Sequence, residues 1–229
     1  MSVGRWQYRV YYGRVSKTGR LPHRYRPLAG HTPHHLVLTV RDDVPALHRR
    51  EIRFLFGRVQ RATLALYPEV SFACATLMTD HIHLVMQAGS APTRISRAIQ
   101  YLASNLALGI NRIFGRTGAV FRDRYFSRIL STVSELVRAL KYVGLNPVRA
   151  GLCRRPEDWL GSSIAACLAN PEQDRWSFRG WMYRVLGFGG GIRDALRRIL
   201  SGQTRARPPG RSRQNRLPFA RGLPRSAPS

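Results

Sequence analysis

The pattern of apolar residues between His35 and Gln87 predicts three strands and one amphipathic helix. The segment His35–Val40 is apolar and β-branched, which predicts a strand. Apolar residues then recur at helical spacing over residues 45–66, which predicts one amphipathic helix. Two further apolar runs, Val70–Leu77 and Ile82–Gln87, predict a pair of strands separated by a short break.

A second and a third helix follow. Apolar residues within Ile95–Ile113 fall on one helical stripe, and Thr132 and Glu135 have the spacing of a capping box that starts another helix. The short apolar segment Ala119–Phe121 between these helices is the candidate for a fourth strand. The order β-α-β-β-α-β-α over residues 33–148 therefore predicts an α+β protein. Its expected architecture is a ferredoxin-like or RRM-like sandwich, an antiparallel sheet with helices on one face.

The ends of the chain differ from this middle in composition. Residues 1–30 and 201–229 each carry seven basic residues and no acidic one. We expect four regions: a basic, aromatic N-terminal extension (1–32), a central domain (33–152), a small helical C-terminal extension (153–200) and a disordered Arg/Pro-rich tail (201–229).

Charge narrows the class of partner. The 229 residues include 38 Lys and Arg against 12 Asp and Glu, a formal net charge of +26, while 44% of residues are hydrophobic. Such composition supports a folded core and excludes a wholly disordered chain. A positive field of this size attracts polyanions, so nucleic acid is the first partner to expect.

The cysteine spacing and the length of the apolar runs indicate the cellular compartment to expect. Three cysteines without CxxC spacing predict neither a disulfide framework nor a zinc ribbon. The N-terminal MSVGRWQYRV lacks the apolar region of a signal peptide, and no run is long enough to span a membrane. We therefore expect a cytoplasmic, nucleoid-associated bacterial protein with no membrane partner.

The sharpest local motif is His81-Ile82-His83. On a strand, residues i and i+2 project from the same face, so both imidazoles can reach one divalent metal ion. Ile82 then points into the core. A surface His-x-His pair without a metal is the alternative interpretation of this motif.

A second motif is Val120–Phe126, in which Tyr125 lies among Arg122, Arg124 and Arg128. Positive charge stabilises a phenolate and holds a phosphodiester nearby. An ordinary amphipathic tyrosine with a packed ring is the alternative.

Together the two motifs indicate one reaction. A metal ion that polarises a phosphodiester lets a tyrosine open it, which leaves a covalent phosphotyrosine on one DNA end and a free hydroxyl on the other. The linkage conserves the energy of the bond, so the strand can be rejoined elsewhere.

These motifs and two more resemble a known family. The segments Met78–Leu84, Gly118–Tyr125, Leu140–Leu152 and Pro33–Leu38 are similar, in this order, to motifs of the REP-associated tyrosine transposases. These are single-tyrosine HUH transposases, related to insertion-sequence transposases that move single-stranded DNA. The resemblance covers about residues 33–152.

The resemblance implies specific roles and partners. His81 and His83 would hold a divalent metal, Mg²⁺ or Mn²⁺, and Tyr125 would be the nucleophile. The implied substrate is single-stranded or hairpin DNA, and the implied intermediate is a 5′-phosphotyrosine. Relatives act either as homodimers or as monomers, and both states are open for this chain.

The sequence also departs from the family. Asp80 stands where relatives usually have Asn, Phe126 where many have His, and Ile129 where some have a Gln that serves as third metal ligand. The third ligand is therefore unassigned. The candidates are Asp80, Gln87, Asp123 and His35.

Several arginines and one tryptophan are further candidates for DNA contacts. Stacking of unpaired bases on aromatic rings, with Arg on phosphates, is how single strands are held. Besides the arginines around Tyr125, the candidates are Arg5, Trp6 and Arg9 in the N-terminal extension, Arg94 and Arg97 on the second helix, and Arg149.

Two other functions compete with the transposase hypothesis. The missing third ligand favours a catalytically impaired nucleic-acid-binding protein on the same fold. A hydrolase in which the metal activates water ranks last, because no convincing carboxylate base accompanies the histidines.

Overall fold

A computed structural model describes residues 32–89, 93–169 and 192–201. The predicted contacts of Arg5, Trp6 and Arg9 lie outside these residues, as does the predicted Arg/Pro-rich tail after Ser201. The described elements are, in chain order, β1 (His34–Thr39), α1 (Arg50–Leu66), β2 (Val70–Leu77), β3 (His81–Ala88), α2 (Thr93–Phe114), β4 (Phe126–Ile129), α3 (Val133–Arg149), a 3-10 turn (Pro156–Asp158), α4 (Ser163–Ala169) and α5 (Ile192–Ser201).

The four strands form one antiparallel sheet in the order β2-β3-β1-β4. In the central pair, Val37 lies opposite His83 and Thr39 lies opposite His81. This order and direction are those of the ferredoxin-like sandwich, so the predicted α+β fold is confirmed.

The first face of the sheet is covered by α1 and α2. Leu36, Ile82 and Leu84 point towards these helices and are fully or almost fully buried. Since strand side chains alternate between faces, the odd-numbered neighbours on β1 and β3 point the other way. Gly109 allows the two helices to approach closely, because a Cβ there would lie 2.6 Å from a methyl group of Leu55.

The second face is also covered, which the sequence pattern did not predict. Leu136, Leu140 and Val143 of α3 pack with Val85 of β3 in a second core that includes residues of α4 and α5. Thr132 caps the N-terminus of α3, and its side chain and that of Glu135 form the predicted capping box. A helical layer therefore lies against the strand that carries the two histidines.

Two boundaries differ from the predicted ones. Helix α1 begins at Arg50 rather than at residue 45, because Leu47 is instead tied to the turn before β3 through its N–H, which donates to the Thr79 carbonyl. The strand β4 begins at Phe126, while Phe121 makes only an isolated bridge to Val40.

None of the helices in the described ranges is long and apolar enough to cross a membrane. All three cysteines are free thiols, and Cys74 and Cys167 are buried.

The segment after α3 is fastened to the end of β2, and this contact gives a test of the packing. A Cβ on Gly161 would lie 2.8 Å from the Leu77 carbonyl oxygen and 2.9 Å from Nε1 of Trp159. We expect Gly161→Ala to lower the free energy of unfolding in urea by about 1–3 kcal/mol, because backbone must move to admit the methyl group.

Gly57 in α1 is the matched control. The nearest atom to an added Cβ there is Nη1 of Arg61, at 3.7 Å. Gly57→Ala should raise the free energy of unfolding by about 0.5–1 kcal/mol through helix propensity. Equal responses of the two variants would contradict the tight contact at Gly161.

Candidate active site

The His81 and His83 side chains lie on the face of the sheet that α3 covers. Ile82 between them is 1% exposed in the opposite core, as the strand pattern predicted. The Nε2 atoms of the two imidazoles are 3.1 Å apart. Both rings therefore present the same nitrogen to one point in space.

The other ring nitrogen of each histidine has its own partner. Nδ1 of His81 lies 2.7 Å from Oδ1 of Asp80, and Nδ1 of His83 lies 3.1 Å from Nε2 of His35. A carboxylate accepts the Nδ1 proton of His81, so its Nε2 keeps a lone pair. Asp80 and His35 thus contact the far side of each imidazole, where they orient the rings rather than join the convergent nitrogens.

Two side chains of α3 complete the group. The Asn146 amide lies 3.1 Å from Nε2 of His83. The Tyr142 ring meets the His83 ring edge-on with centroids 5.3 Å apart, and the His35 ring at 5.9 Å. Tyr142 and Asn146 are four residues apart, so they project from the same side of the helix. The capping box at Thr132 and the buried leucines of α3 hold that side against β3.

Burial keeps the two inner histidines uncharged. Burial lowers the pKa of His83 to about 2, with further lowering from His35 and His81. Burial also lowers the pKa of His35 to about 4, helped by electrostatic interactions with Arg128 and His81. Both imidazoles are therefore neutral at neutral pH, the state in which a ring nitrogen can bind a metal ion.

The convergent atoms fit one divalent ion. Two nitrogens that share an ion at about 2.1 Å lie roughly 3.0–3.4 Å apart, and the two Nε2 atoms meet this condition. Rotation of the Asn146 amide about its last bond exchanges the positions of its nitrogen and oxygen. Oxygen is the donor that Mg²⁺ and Mn²⁺ prefer. In the described residues no group of three or more His, Cys, Asp or Glu side chains forms a metal site. An amide is thus the third donor at hand.

Tyr125 lies on the other side of the sheet from the histidines. Phe126 pairs with Val37, the partner of His83, so the preceding residue faces the α1–α2 layer. The Tyr125 ring packs against that core, and its hydroxyl is 2.9 Å from Oγ of Ser96 on α2. The structure therefore does not bring the predicted nucleophile to the predicted metal ligands.

Tyr142 is the phenol that sequence reasoning missed. It belongs to the motif Leu140–Leu152, but the arginines around Tyr125 directed attention to the segment Val120–Phe126 instead. The spacing of Tyr142 and Asn146, i and i+4 on a helix with a capping box, is the signal that could have identified it.

Two of the predicted DNA-contacting arginines lie at this site. Arg128 on β4 is the cross-strand partner of His35 and pairs with Glu135 at 3.3 Å. The Arg149 guanidinium carbon lies 5.8 Å from the centre of the Tyr142 ring, at the exposed end of α3. Contacts of these two cations with a phosphate stay a prediction.

The other predicted arginines lie elsewhere. Arg94 pairs with Glu69 at 3.0 Å, and Arg122 pairs with Asp42. Arg97 is exposed on α2, in the layer on the opposite side of the sheet from the histidines, and Arg124 is exposed just before β4. Contacts of these four arginines with DNA stay a prediction.

Known proteins resemble this chain in sequence and in fold. A Haemophilus influenzae protein named "Putative REP-associated tyrosine transposase" is 25% identical over 118 residues, which are 48% of this chain and 66% of that protein, just under two thirds of its length. A solved structure of a REP-associated tyrosine transposase bound to a REP hairpin superposes with a TM-score of 0.56 at 12% identity. It covers 66% of this chain and 87% of that one.

No family model matches the sequence. The resemblance to REP-associated tyrosine transposases that the motifs indicated is confirmed by the sequence relative, and the solved structure confirms the fold.

The convergence of the two Nε2 atoms predicts metal binding that can be measured without DNA. In an electron paramagnetic resonance titration, the protein should remove the signal of free Mn²⁺, and His83→Ala should weaken this binding by more than about tenfold. His48→Ala is the control. The His48 ring packs against the Trp159 ring, with ring centroids 4.9 Å apart, and does not belong to the histidine group. Equal affinity of the two variants would refute the site.

Proposed function

We propose that this chain, which resembles REP-associated tyrosine transposases in sequence and fold, is a metal-dependent endonuclease and strand transferase acting on single-stranded DNA. Tyr142 is its nucleophile, in place of Tyr125. The observation that carries this assignment is the edge-on contact of the Tyr142 ring with His83, one of the two convergent imidazoles.

The reaction conserves the phosphodiester energy. The Tyr142 oxygen attacks the phosphorus and forms a P–O bond, while the bond from phosphorus to the 3′ oxygen breaks. The phenol proton goes to solvent, and the departing 3′ oxygen takes up a proton to become a free hydroxyl. A 3′ hydroxyl of another strand reverses these steps and releases the tyrosine.

His81, His83 and Asn146 would hold the divalent ion, which when bound supplies charge to polarise the scissile phosphate. The residues of the chain do the rest of the positioning. Asp80 orients His81, and the cations of Arg128 and Arg149 neutralise the phosphate that the tyrosine attacks. Tyr142 and both histidines belong to the same chain, so we propose that one copy suffices to form the site.

Hairpin DNA is the proposed substrate. The superposed structure is titled as bound to a REP hairpin, and this chain shares its fold. The formal net charge of +26 supports a long polyanion as the ligand.

A nucleic-acid-binding protein without catalysis is the second candidate. The lack of a third His, Cys, Asp or Glu donor in the described part of the chain favours it, since two imidazoles and an amide bind a hard ion weakly.

A pair of conservative variants tests the nucleophile. Single-stranded hairpin DNA, labelled on the 3′ side of its cleavage site and incubated with Mn²⁺, should give an SDS-stable protein–DNA band with the unaltered protein. Tyr125→Phe should retain the band because Tyr125 faces the other core. Tyr142→Phe should lose it, because the attacking oxygen is gone, while still binding the hairpin.

The reverse pattern would restore Tyr125 as the nucleophile. Absence of the band from all three proteins, with hairpin binding kept, would favour the non-catalytic alternative.

The arginine beside the nucleophile predicts a change in salt dependence. Arg149→Gln should weaken hairpin binding and reduce the slope of log K against log salt by about 0.7, the value for one lost phosphate contact on a single strand. Fluorescence anisotropy in EDTA measures this without cleavage.

Arg58→Gln on α1 is the control, since Arg58 is exposed on the layer away from the histidines. We expect it to leave the slope unchanged. The same slope change in both variants would show that Arg149 acts only through net charge.

A further inference from the structure

His35 is a buried histidine on the strand next to the metal pair. Its side chain is 9% exposed, and it lies on β1 between Val85 of β3 and Arg128 of β4. Its Nε2 is 3.1 Å from Nδ1 of His83, and the two rings are 5.1 Å apart with an angle of 32° between their planes. A polar ring at such a position needs a hydrogen-bond partner, and His83 is that partner.

The direction of this hydrogen bond decides which nitrogen of His83 carries the proton. Nε2 of His83 faces Nε2 of His81 and the Asn146 amide, while Nδ1 faces His35. A neutral imidazole has one N–H and one lone pair, so coordination through Nε2 requires the proton to sit on Nδ1. That proton then needs an acceptor inside the protein.

We propose that His35 is a positioning residue that accepts the Nδ1 proton of His83 and so holds the Nε2 lone pair of His83 towards His81 and Asn146. The inference deepens the metal site of the proposed function and rests on it. His35 does for His83 what the Asp80 carboxylate does for His81, but from a neighbouring strand and from within the core.

The surroundings of His35 suit an acceptor. His35 is buried, and its Nε2 lies 3.1 Å from Nδ1 of His83, so a lone pair on this nitrogen is placed to accept that proton. Arg128 is itself paired with Glu135, which fixes this cation at the edge of the sheet. A neutral acceptor orients the ligand without adding a negative charge beside the phosphate.

Metal affinity tests this role without DNA. In an Mn²⁺ titration by electron paramagnetic resonance, His35→Phe should weaken binding by about 10–100-fold, the usual effect of losing the partner of a ligating histidine. His35→Gln should stay within about threefold of the unaltered protein, since its amide oxygen reaches the position of the ring Nε2 and accepts the same proton.

His34→Gln is the matched control, because His34 is the adjacent buried histidine and faces the other side of the sheet, where its Nδ1 is 3.3 Å from Oγ of Ser127. It should leave the affinity unchanged. Unchanged affinity in His35→Phe, or an equal loss in His35→Gln and His35→Phe, would overturn the role.

A second measurement uses the unaltered protein, so it does not depend on a variant that folds. Long-range ¹H–¹⁵N NMR spectra of the Mg²⁺-loaded protein report which ring nitrogens carry protons. We expect a proton on Nδ1 of His83 and none on Nε2 of His35. A proton on Nε2 of His35 would overturn the proposal.

These outcomes are separate from those of the proposed reaction. Loss of the covalent band in every protein, with metal affinity still dependent on His35, would remove the transferase and keep the positioning role. A covalent band that depends on Tyr142, with metal affinity indifferent to His35, would keep the transferase and remove the positioning role.

Discussion

The packing of α3 on the second face of the sheet is the contact on which the site depends. Leu136, Leu140 and Val143 bury themselves against the strand that carries the histidines, and each such side chain contributes about 1.5–3 kcal/mol. This burial sets the rotation of the helix, and the rotation brings Tyr142 and Asn146 over His83. The polar side chains therefore lie together because apolar neighbours on the same elements are buried.

The histidine group is built from alternation on adjacent strands. Residues 35, 81 and 83 share one face of the sheet, and the intervening apolar residues form the opposite core. A shift of one residue in the pairing of β1 and β3 would move His35 to the wrong face. The core under α1 and α2 thus fixes the geometry of the polar group on the other side.

Much of the fold could be predicted from local patterns. The alternating strands, the helical stripes and the Thr132–Glu135 capping box depend on near neighbours in the chain, and these elements are present in the structure. The boundary at residue 45 was wrong because Leu47 is held by Thr79, which is distant in sequence. The placement of α3, α4 and α5 on the second face of the sheet depends on packing between segments that are distant in the chain, and no local pattern reports such packing.

The sequence by itself determined that His81 and His83 lie side by side, because the i and i+2 positions of a strand share a face whatever the rest of the chain does. It did not determine which tyrosine lies beside them. Charge around Tyr125 favoured that residue, but strand alternation turns its ring into the α1–α2 core, and only the docking of α3 shows that Tyr142 meets the imidazoles. The physical reason is that the period of one element is local, whereas which two elements touch is decided by the burial of apolar faces in three dimensions.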